Sequence, residues 1–505
     1  MLEFVVFSSG ALVMVLEMVG SRVLAPHLGT SLIVWTSLIG VVLAFLALGA
    51  FLGGRLADSR LSRRILSMIL AMAGFSSLFT ALMHREVGHL VASSLSNPYA
   101  ATVAASIALL AVPALFFGMV SPYVIRLRLD RLDNSGRTVG RLYALSTAGS
   151  IVGTFLGGFV LLAWFSTTQI LFGVSGGMVV LALLAFPKGS VAALVAVIAW
   201  GGAAWYSHQQ DDLWAGAWPS TVIVETPYNT LTVAEGIMDD PSRPMRFLST
   251  DPGSCQSAIF IDDPNALALS YTHFYGLGTT LKSDAASVLM LGGGAYSVPR
   301  WLLSGRSGLK SDFTLDVVEL DPGMTQVTRE RFGLPEDSRM SVIHQDARIF
   351  LNHNQKAYDL VFVDVFGSWY SVPFHMGTVE AMGAMRRAVA PDGVMVMNII
   401  SALEGEQGKL FESIHASIRE HFADVRVFAV RAPRQRQEVQ NLMVLAFPEK
   451  RPDLAATLDR QPPDAPGDAK TFTHMLARQV KISEPTVPAL TDAYAPVERY
   501  VRSML

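Results

Sequence analysis

Ser287-Val-Leu-Met-Leu-Gly-Gly-Gly294 is an apolar run that ends in three consecutive glycines. A short apolar run bounded by turn residues is typical of a buried β-strand, and glycines directly after it let a ligand approach the backbone closely. The glycines do not follow the Gly-x-Gly-x-x-Gly pattern, so a pyrophosphate site is not favoured. The stretch therefore predicts the first strand of an α/β sheet, with a ligand site beyond its carboxyl end.

Apolar strands and helical stretches alternate after this run, which is typical of a parallel α/β sheet. Three of the strands carry acidic residues at their ends, namely Glu319, Asp346 and Asp364. The predicted later strands are 315–321, 342–346, 359–364, 394–398, 425–430 and 441–447, with a helix over 378–390. We therefore predict a seven-stranded, Rossmann-like domain of the methyltransferase type over residues 273–450, with the three acids in one crevice.

Two smaller regions flank this domain. Short β-type runs separated by Pro, Gly and Asp turns occupy residues 219–272 and predict a small antiparallel β unit. Residues 451–505 predict a C-terminal tail, in which 451–468 is a linker rich in Pro, Asp and Ala and 471–480 is a helix. The single cysteine, Cys255, excludes an intrachain disulfide and is compatible with a reducing compartment.

Residues 1–207 differ in composition from the rest of the chain. The 505 residues are 51% hydrophobic and only 16% charged, with a mean hydropathy of +0.38, whereas a soluble globular protein carries about 25% charged residues. The net charge is +6 over residues 1–207 and −9 over the remainder. This composition excludes a disordered chain and a nucleic-acid binder, and it predicts an α-helical transmembrane domain followed by a soluble part.

Seven apolar runs in residues 1–207 are long enough to cross a hydrocarbon core about 30 Å thick. The predicted spans are 4–24, 32–54, 65–83, 101–125, 141–163, 167–186 and 189–206. Glu17 and Arg22 lie in the first span, where an ionisable side chain costs a few kcal/mol unless it is paired or hydrated. They indicate either a polar pocket for a substrate or a structural role. In the structural role the two side chains form a buried pair, or the Arg22 side chain reaches the membrane interface.

Short stretches between residues 225 and 393 carry a family resemblance. They are Glu225-Thr-Pro-Tyr-Asn229, Gln256-Ser257, Asp262-Asp263 with Tyr271, Val288-Leu-Met-Leu-Gly-Gly-Gly294, Val318-Glu-Leu-Asp321, Gln345-Asp-Ala347, Tyr358-Asp-Leu-Val-Phe-Val-Asp364 and the pattern from Arg387 to Gly393. In these stretches, residues 220–450 resemble the spermidine synthase (polyamine aminopropyltransferase) family. The whole chain resembles the membrane-fused bacterial branch of that family.

The resemblance implies a site for a donor nucleoside, either S-adenosylmethionine or its decarboxylated form. In the family, the counterpart of Glu319 holds the ribose and the counterpart of Asp346 lies at the adenine. A carboxylate at position 319 suits this role, because it can accept hydrogen bonds from both ribose hydroxyls. The implied donor-binding set is Gln256, Gly292, Gly293, Gly294, Glu319, Asp346 and Ala347.

The implied reaction displaces a neutral thioether from a sulfonium carbon, so it needs an amine without its proton and requires no metal. The counterpart of Asp364 is the general base of the family, and its place at the end of an apolar strand suits that role. Aromatic and polar side chains stabilise a cationic amine. The substrate-side candidates are Tyr228, Asn229, Tyr271, His273, Trp369 and Tyr370.

Two positions depart from the family pattern. The family has an aspartate after the glycine triplet that holds the amine end of the decarboxylated donor, and here that residue is Ala295. A second family aspartate, which grips the diamine, is replaced by Gly367. Loss of the two anions should weaken binding of a dicationic amine. Since intact S-adenosylmethionine carries a carboxylate that the first aspartate would repel, Ala295 favours the intact donor as an alternative.

Three functions remain open on these observations. The first is a membrane-bound aminopropyltransferase that releases methylthioadenosine. The second is another S-adenosylmethionine-dependent enzyme, such as a methyltransferase, an aminocarboxypropyl transferase or a cofactor-cleaving lyase, and the third is a non-catalytic nucleoside or polyamine sensor. The expected partners are a small-molecule amine, membrane lipid and a second copy of the chain, without nucleic acid.

Arginines near two predicted loops conflict with a count of seven spans. The segments 55–64 and 126–141 are rich in arginine, so both loops are expected in the cytoplasm. Seven crossings would place the soluble part on the side of the membrane opposite these loops. An intracellular donor requires the soluble part in the cytoplasm, and we expect a protein of the bacterial inner membrane. Three explanations are open: one predicted span does not cross, the weakest being 189–206; a further segment near 87–100 does cross; or the charge rule fails for this protein.

Overall fold

The structure is a computed structural model that describes residues 1–29, 31–95, 97–129, 135–185, 200–201, 221–237, 243–250, 255–366, 372–431, 433–451, 475–502 and 504. The chain divides into two units, Met1–Pro219 and Ser220–Leu505. The predicted boundary at residue 207, the predicted linker after Arg451 and the candidates Trp369 and Tyr370 lie outside the described residues.

The described residues of the first unit form six helices that are long and apolar enough to cross a membrane. They are α1 Leu2–Leu28, α2 Leu32–Ser59, α3 Arg63–Ser94, α4 Pro98–Arg128, α5 Gly136–Trp164 and α6 Thr167–Ala185. Each coincides with one of the first six predicted spans, and the seventh, 189–206, is outside the described residues except at 200 and 201. Residues 87–100 contain the end of α3 and the start of α4 rather than an additional span.

Glycines bring pairs of these helices into close contact. A Cβ atom on Gly49 of α2 would lie 2.0 Å from the carbonyl oxygen of Leu115 on α4. A Cβ atom on Gly149 of α5 would likewise lie 2.0 Å from the carbonyl oxygen of Phe7 on α1. Small residues at helix contacts let backbones approach closely in lipid. These two glycines are therefore packing positions.

The second unit begins with a four-stranded antiparallel sheet, as the turn-rich pattern predicts. Its strands are β1 Val222–Glu225, β2 Thr230–Gly236, β3 Met245–Ser249 and β4 Ser257–Phe260, in the order β1-β2-β3-β4. Leu231, Val233, Leu248 and Ile259 place their side chains in one apolar cluster of this unit.

An eight-stranded sheet follows, with the order β12-β10-β11-β9-β8-β5-β6-β7. Its strands are β5 Ser287–Leu291, β6 Thr314–Glu319, β7 Met340–His344, β8 Tyr358–Val363, β9 Val389–Ser401, β10 Asp424–Ala429, β11 Gln440–Phe447 and β12 Gln479–Val480. The five strands from β9 to β7 are parallel, and β10, β11 and β12 add antiparallel pairs.

The fold class is confirmed, with one correction at the edge of the large sheet. The sequence predicts a helix over 471–480, but Gln479 and Val480 form β12 and pair with Phe428 and Val427 of β10. A free sheet edge offers backbone donors and acceptors, and their pairing outweighs the local helical preference. The sheet therefore has eight strands rather than seven.

Helices cover both faces of the large sheet. They are α7 Tyr275–Leu281, α8 Ser297–Leu303, α9 Pro322–Arg331, α10 Ala347–His353, α11 Val379–Ala388, α12 Lys409–Arg419 and α13 Val497–Val501. Alternate residues of β5 enter different apolar cores: Leu289 and Leu291 pack in one, and Val288 and Met290 pack in the other. Burial on both faces explains why this strand is an uninterrupted apolar run.

Candidate active site

The candidate site lies where the strand order reverses. Strand β5 has β6 on one side and β8 on the other, and a ligand crevice forms beyond the carboxyl ends of strands at such a switch point. Gly292 directly follows β5, and Asp364 directly follows β8. The Asp364 backbone N–H donates to the carbonyl oxygen of Leu291 at 2.9 Å. The predicted base and the glycine loop are thus adjacent.

Asp364 is partly buried, and both of its carboxylate oxygens accept hydrogen bonds. Tyr271, from the segment before α7, donates its hydroxyl to Oδ2 at 3.0 Å. Asn398, on β9, donates its Nδ2 amide to Oδ1 at 2.9 Å. The structure therefore brings two predicted site residues together, Asp364 and Tyr271, and adds Asn398.

Burial raises the pKa of Asp364, and hydrogen bonds from Asn398, Tyr271 and Tyr275 oppose that rise. Burial also raises the pKa of Tyr271 well above its usual value, and the nearby charge of Asp364 adds to the effect. Tyr271 therefore remains a protonated donor near neutral pH. A carboxylate with an elevated pKa that accepts from neutral donors has the properties of a general base.

Glu319 is 8% exposed and supports the glycine loop. Its Oε2 accepts from the backbone N–H groups of Gly293 at 2.8 Å and Gly294 at 3.3 Å, and its Oε1 accepts from the Asp321 N–H at 3.0 Å. Burial raises the pKa of Glu319, and these backbone hydrogen bonds oppose the rise. A carboxylate has further lone pairs, so Glu319 can accept hydrogen bonds from a ribose while it holds the glycine loop. This ribose contact stays a prediction.

Asp346 caps the amino terminus of α10. Its Oδ1 accepts from the Ile349 N–H at 3.0 Å, and its Oδ2 lies 3.4 Å from Nε2 of His375. Ala347 is the first residue of that helix. The position at the end of β7 is the predicted one, and the adenine contact of Asp346 and Ala347 stays a prediction.

The other substrate-side and donor-side candidates have different surroundings. Asn229 donates to Oδ2 of Asp321 at 3.1 Å, and Tyr228 is 51% exposed. His273 lies with Nε2 3.1 Å from the carbonyl oxygen of Leu267. The Gln256 side chain donates to the Thr250 hydroxyl, and the backbone carbonyl oxygen of Gln256 accepts from the Tyr271 hydroxyl at 3.3 Å.

Ala295 occupies the position of the missing family aspartate. It is fully buried and belongs to the apolar cluster that includes Leu231, Val233 and Met324. An aspartate at this position would lie among apolar side chains. Among the residues that the structure describes, no group of three or more His, Cys, Asp or Glu side chains is arranged to hold a metal ion.

The sequence reasoning missed Asn398 as a site residue. Val363 pairs with Met397 in the parallel register of β8 and β9, so Asp364 and Asn398 are the next residues on neighbouring strands. A polar residue directly after the apolar run 394–397 was the available signal. The same signal identified Glu319, Asp346 and Asp364.

A doubly wound sheet with a glycine loop and buried acids at its switch point defines an α/β domain of the methyltransferase type. Residues 272–450 match the family described as "Spermine/spermidine synthase domain". Over these residues the chain is similar to the spermine and spermidine synthases.

Two curated relatives are similar to part of the chain. The polyamine aminopropyltransferase of Vibrio vulnificus is 26% identical over 182 residues, which are 35% of this chain and 56% of the relative. That of Streptococcus uberis is 30% identical over 154 residues, which are 29% of this chain and 51% of the relative. The chain thus spans about half the length of these relatives.

The crystal structure of a probable spermidine synthase from Corynebacterium glutamicum matches with a TM-score of 0.40 and 20% identity. The match covers 52% of this chain and 96% of that chain.

Proposed function

We propose that the second unit transfers an aminopropyl-type group from a sulfonium nucleoside to an amine, with Asp364 as the general base. The observation that carries the proposal is the position of Asp364. Asp364 follows β8 at the switch point, its backbone carbonyl lies beside Gly292, and its carboxylate accepts hydrogen bonds from Tyr271 and Asn398. The similarity to polyamine aminopropyltransferases supports the same reaction class.

The chemistry requires a base and correct positioning. Asp364 takes a proton from the ammonium form of the acceptor, which frees the nitrogen lone pair. That lone pair forms the new C–N bond while the C–S bond breaks, and the C–S electron pair stays on sulfur as a neutral thioether. One proton is released overall, and no metal or leaving-group acid is required. General bases contribute typically 10²–10⁴-fold to such rates.

The residues at the same edge of the sheet as Asp364 support a donor nucleoside. Glu319 and Asp346 offer carboxylate oxygens after β6 and β7, at the edge where Gly292 to Gly294 follow β5. We propose that Glu319 and Asp346, with Gln256 and Ala347, hold the nucleoside. Tyr271 then lies on the amine side through its contact with Asp364.

A second candidate function follows from Ala295. Because this position is fully buried among apolar side chains, it provides no anion for the amine end of a decarboxylated donor. Intact S-adenosylmethionine carries a carboxylate that such an anion would repel. Transfer of the aminocarboxypropyl group of the intact donor, or cleavage of that donor, is therefore the alternative.

We also propose that the protein is an inner-membrane protein with the second unit in the cytoplasm. Six crossings by α1 to α6 return the chain to the side of the two loops rich in arginine, between α2 and α3 and between α4 and α5. A seventh crossing would place it on the opposite side. A reporter fused after Leu505 tests this, and activity of a periplasmic reporter would overturn the proposed orientation.

Product analysis with the full chain in detergent tests the reaction. The protein is incubated with a diamine and either decarboxylated or intact S-adenosylmethionine, and the nucleoside products are measured by mass spectrometry. Methylthioadenosine that forms only with the decarboxylated donor and the amine supports the first candidate, and methylthioadenosine from the intact donor supports the second. Adenosylhomocysteine indicates methyl transfer and contradicts both, as does the absence of any product.

An Asp364→Asn variant shows whether the product depends on the base. We expect a 10²–10⁴-fold lower kcat. Asp392→Asn is the matched control, because Asp392 has an exposed side chain that pairs with Lys282 and lies outside the site. Equal losses in both variants would contradict a specific role for Asp364.

A further inference from the structure

We propose that Asn441 is a positioning residue that orients the Asn398 amide, so that its N–H group and not its oxygen faces the Asp364 carboxylate. The inference rests on the proposed function in one respect, namely that Asp364 must be ionised to act as the base. Asn441 does not contact Asp364. It acts through Asn398 alone.

Three neighbouring strands place these side chains in a row. Val363 of β8 pairs with Met397 of β9, so the residues that follow them, Asp364 and Asn398, lie side by side. Asn398 pairs in turn with Met443 in the antiparallel register of β9 and β11. Asn441 is two residues from Met443 and therefore lies on the same face of β11, at the diagonal position. Its Nδ2 donates to Oδ1 of Asn398 at 3.0 Å.

The direction of these hydrogen bonds determines the role. Asn398 is 2% exposed, so water does not compete for its amide. A primary amide has an acceptor oxygen on one side and an N–H donor on the other. Because Asn441 donates to the oxygen, the donor side of Asn398 faces Oδ1 of Asp364 at 2.9 Å. A rotated Asn398 would instead place an oxygen against the carboxylate.

The described groups that act on Asp364 are neutral donors. Asn398 faces it from β9, and the titratable side chains among these described groups are Tyr271, before α7, and Tyr275, the first residue of α7. Both tyrosines remain protonated near neutral pH because burial raises the pKa of each well above its usual value. The orientation of Asn398 therefore contributes directly to the ionisation of Asp364.

Asn441→Asp provides the sharpest test. An aspartate at this position can only accept, so Asn398 turns its N–H group toward it and its oxygen toward Asp364. We expect the acidic limb of the kcat/KM profile to move up by about one pH unit. Asn441→Ala removes the orienting bond without adding charge and should move the limb less. Gln440→Glu adds a carboxylate one residue away on the same strand and should leave it in place.

A second measurement requires no turnover. Carbodiimide labels protonated carboxyl groups, and peptide mapping by mass spectrometry gives the labelling of Asp364 against pH in the full chain. We expect the midpoint to rise in Asn441→Asp and to stay unchanged in Gln440→Glu. An unchanged midpoint in Asn441→Asp, or an equal rise in Gln440→Glu, would overturn the positioning role. If no variant turns over any donor while the midpoint still shifts, the proposed function fails and the role of Asn441 stands.

Discussion

Gly292 and Asp364 approach each other so closely that a Cβ atom on Gly292 would lie 2.4 Å from the Asp364 carbonyl oxygen. Gly292 also has a φ of +89°, which disfavours any residue with a side chain. The glycine that follows β5 therefore sets the position of the backbone that carries the base. This contact, between residues 72 positions apart in the sequence, joins the two sides of the crevice.

Gly292→Ala should displace Asp364 and lower the free energy of unfolding by about 1–3 kcal/mol through backbone strain. Turnover should fall more than stability alone explains. Gly305→Ala is the matched control, because Gly305 has a φ of +80° but nothing lies within 4 Å of an added Cβ. Thermal melts and rates of both variants separate strain from displacement. Equal losses of activity in the two variants would argue against the displacement.

Tyr271→Phe should move the acidic limb of activity to higher pH. The Tyr271 hydroxyl donates to Asp364 and holds the pKa of that carboxyl down against the effect of burial. Without this donor the pKa of Asp364 rises further. As the pH is lowered, the Asp364 carboxylate is then protonated, and activity is lost, at a higher pH than in the natural protein. The kcat/KM profile measures the shift, which should be about one pH unit. A limb that moves to lower pH would contradict this assignment.

Glu319→Ala should weaken binding of the donor nucleoside by roughly 10- to 100-fold, because hydrogen bonds to a charged group are worth about 1.5–3 kcal/mol. The variant also frees the N–H groups of Gly293 and Gly294, which Glu319 holds. Calorimetry with methylthioadenosine measures the affinity, and fractionation should recover the variant in the membrane. An unchanged affinity would refute the ribose assignment.

Ala295→Asp should not restore use of a decarboxylated donor. The side chain would enter the apolar cluster around Leu231 and Met324, and an uncompensated buried charge costs about 3–5 kcal/mol. We therefore expect a lower melting temperature without a gain in diamine turnover. Ala295→Ser is the neutral comparison of similar size and should melt closer to the natural protein. A stable Ala295→Asp variant with increased diamine turnover would show that this position faces the donor.

Local sequence patterns determined the main divisions of the protein. Long, predominantly apolar runs predicted α1 to α6, because a helix that crosses lipid needs about 20 such residues. The same logic predicted β5 and β8, since strands buried on both faces are nearly continuous apolar runs. The acidic residues at the ends of β6, β7 and β8 predicted that Glu319, Asp346 and Asp364 belong to the site. Each of these inferences depends on residues close together in the sequence.

Only the tertiary structure decided which distant residues meet. Asn398 reaches Asp364 because β9 lies beside β8, and Asn441 reaches Asn398 because β11 lies on the other side of β9, an order that no local pattern specifies. Ala295 faces an apolar cluster because β2 and α9 pack around it. Residues 479–480 form a strand because β10 offers a free edge. The physical reason is the same in each case: side-chain periodicity is local, whereas hydrogen-bond partners and burial are set by packing between elements far apart in the chain.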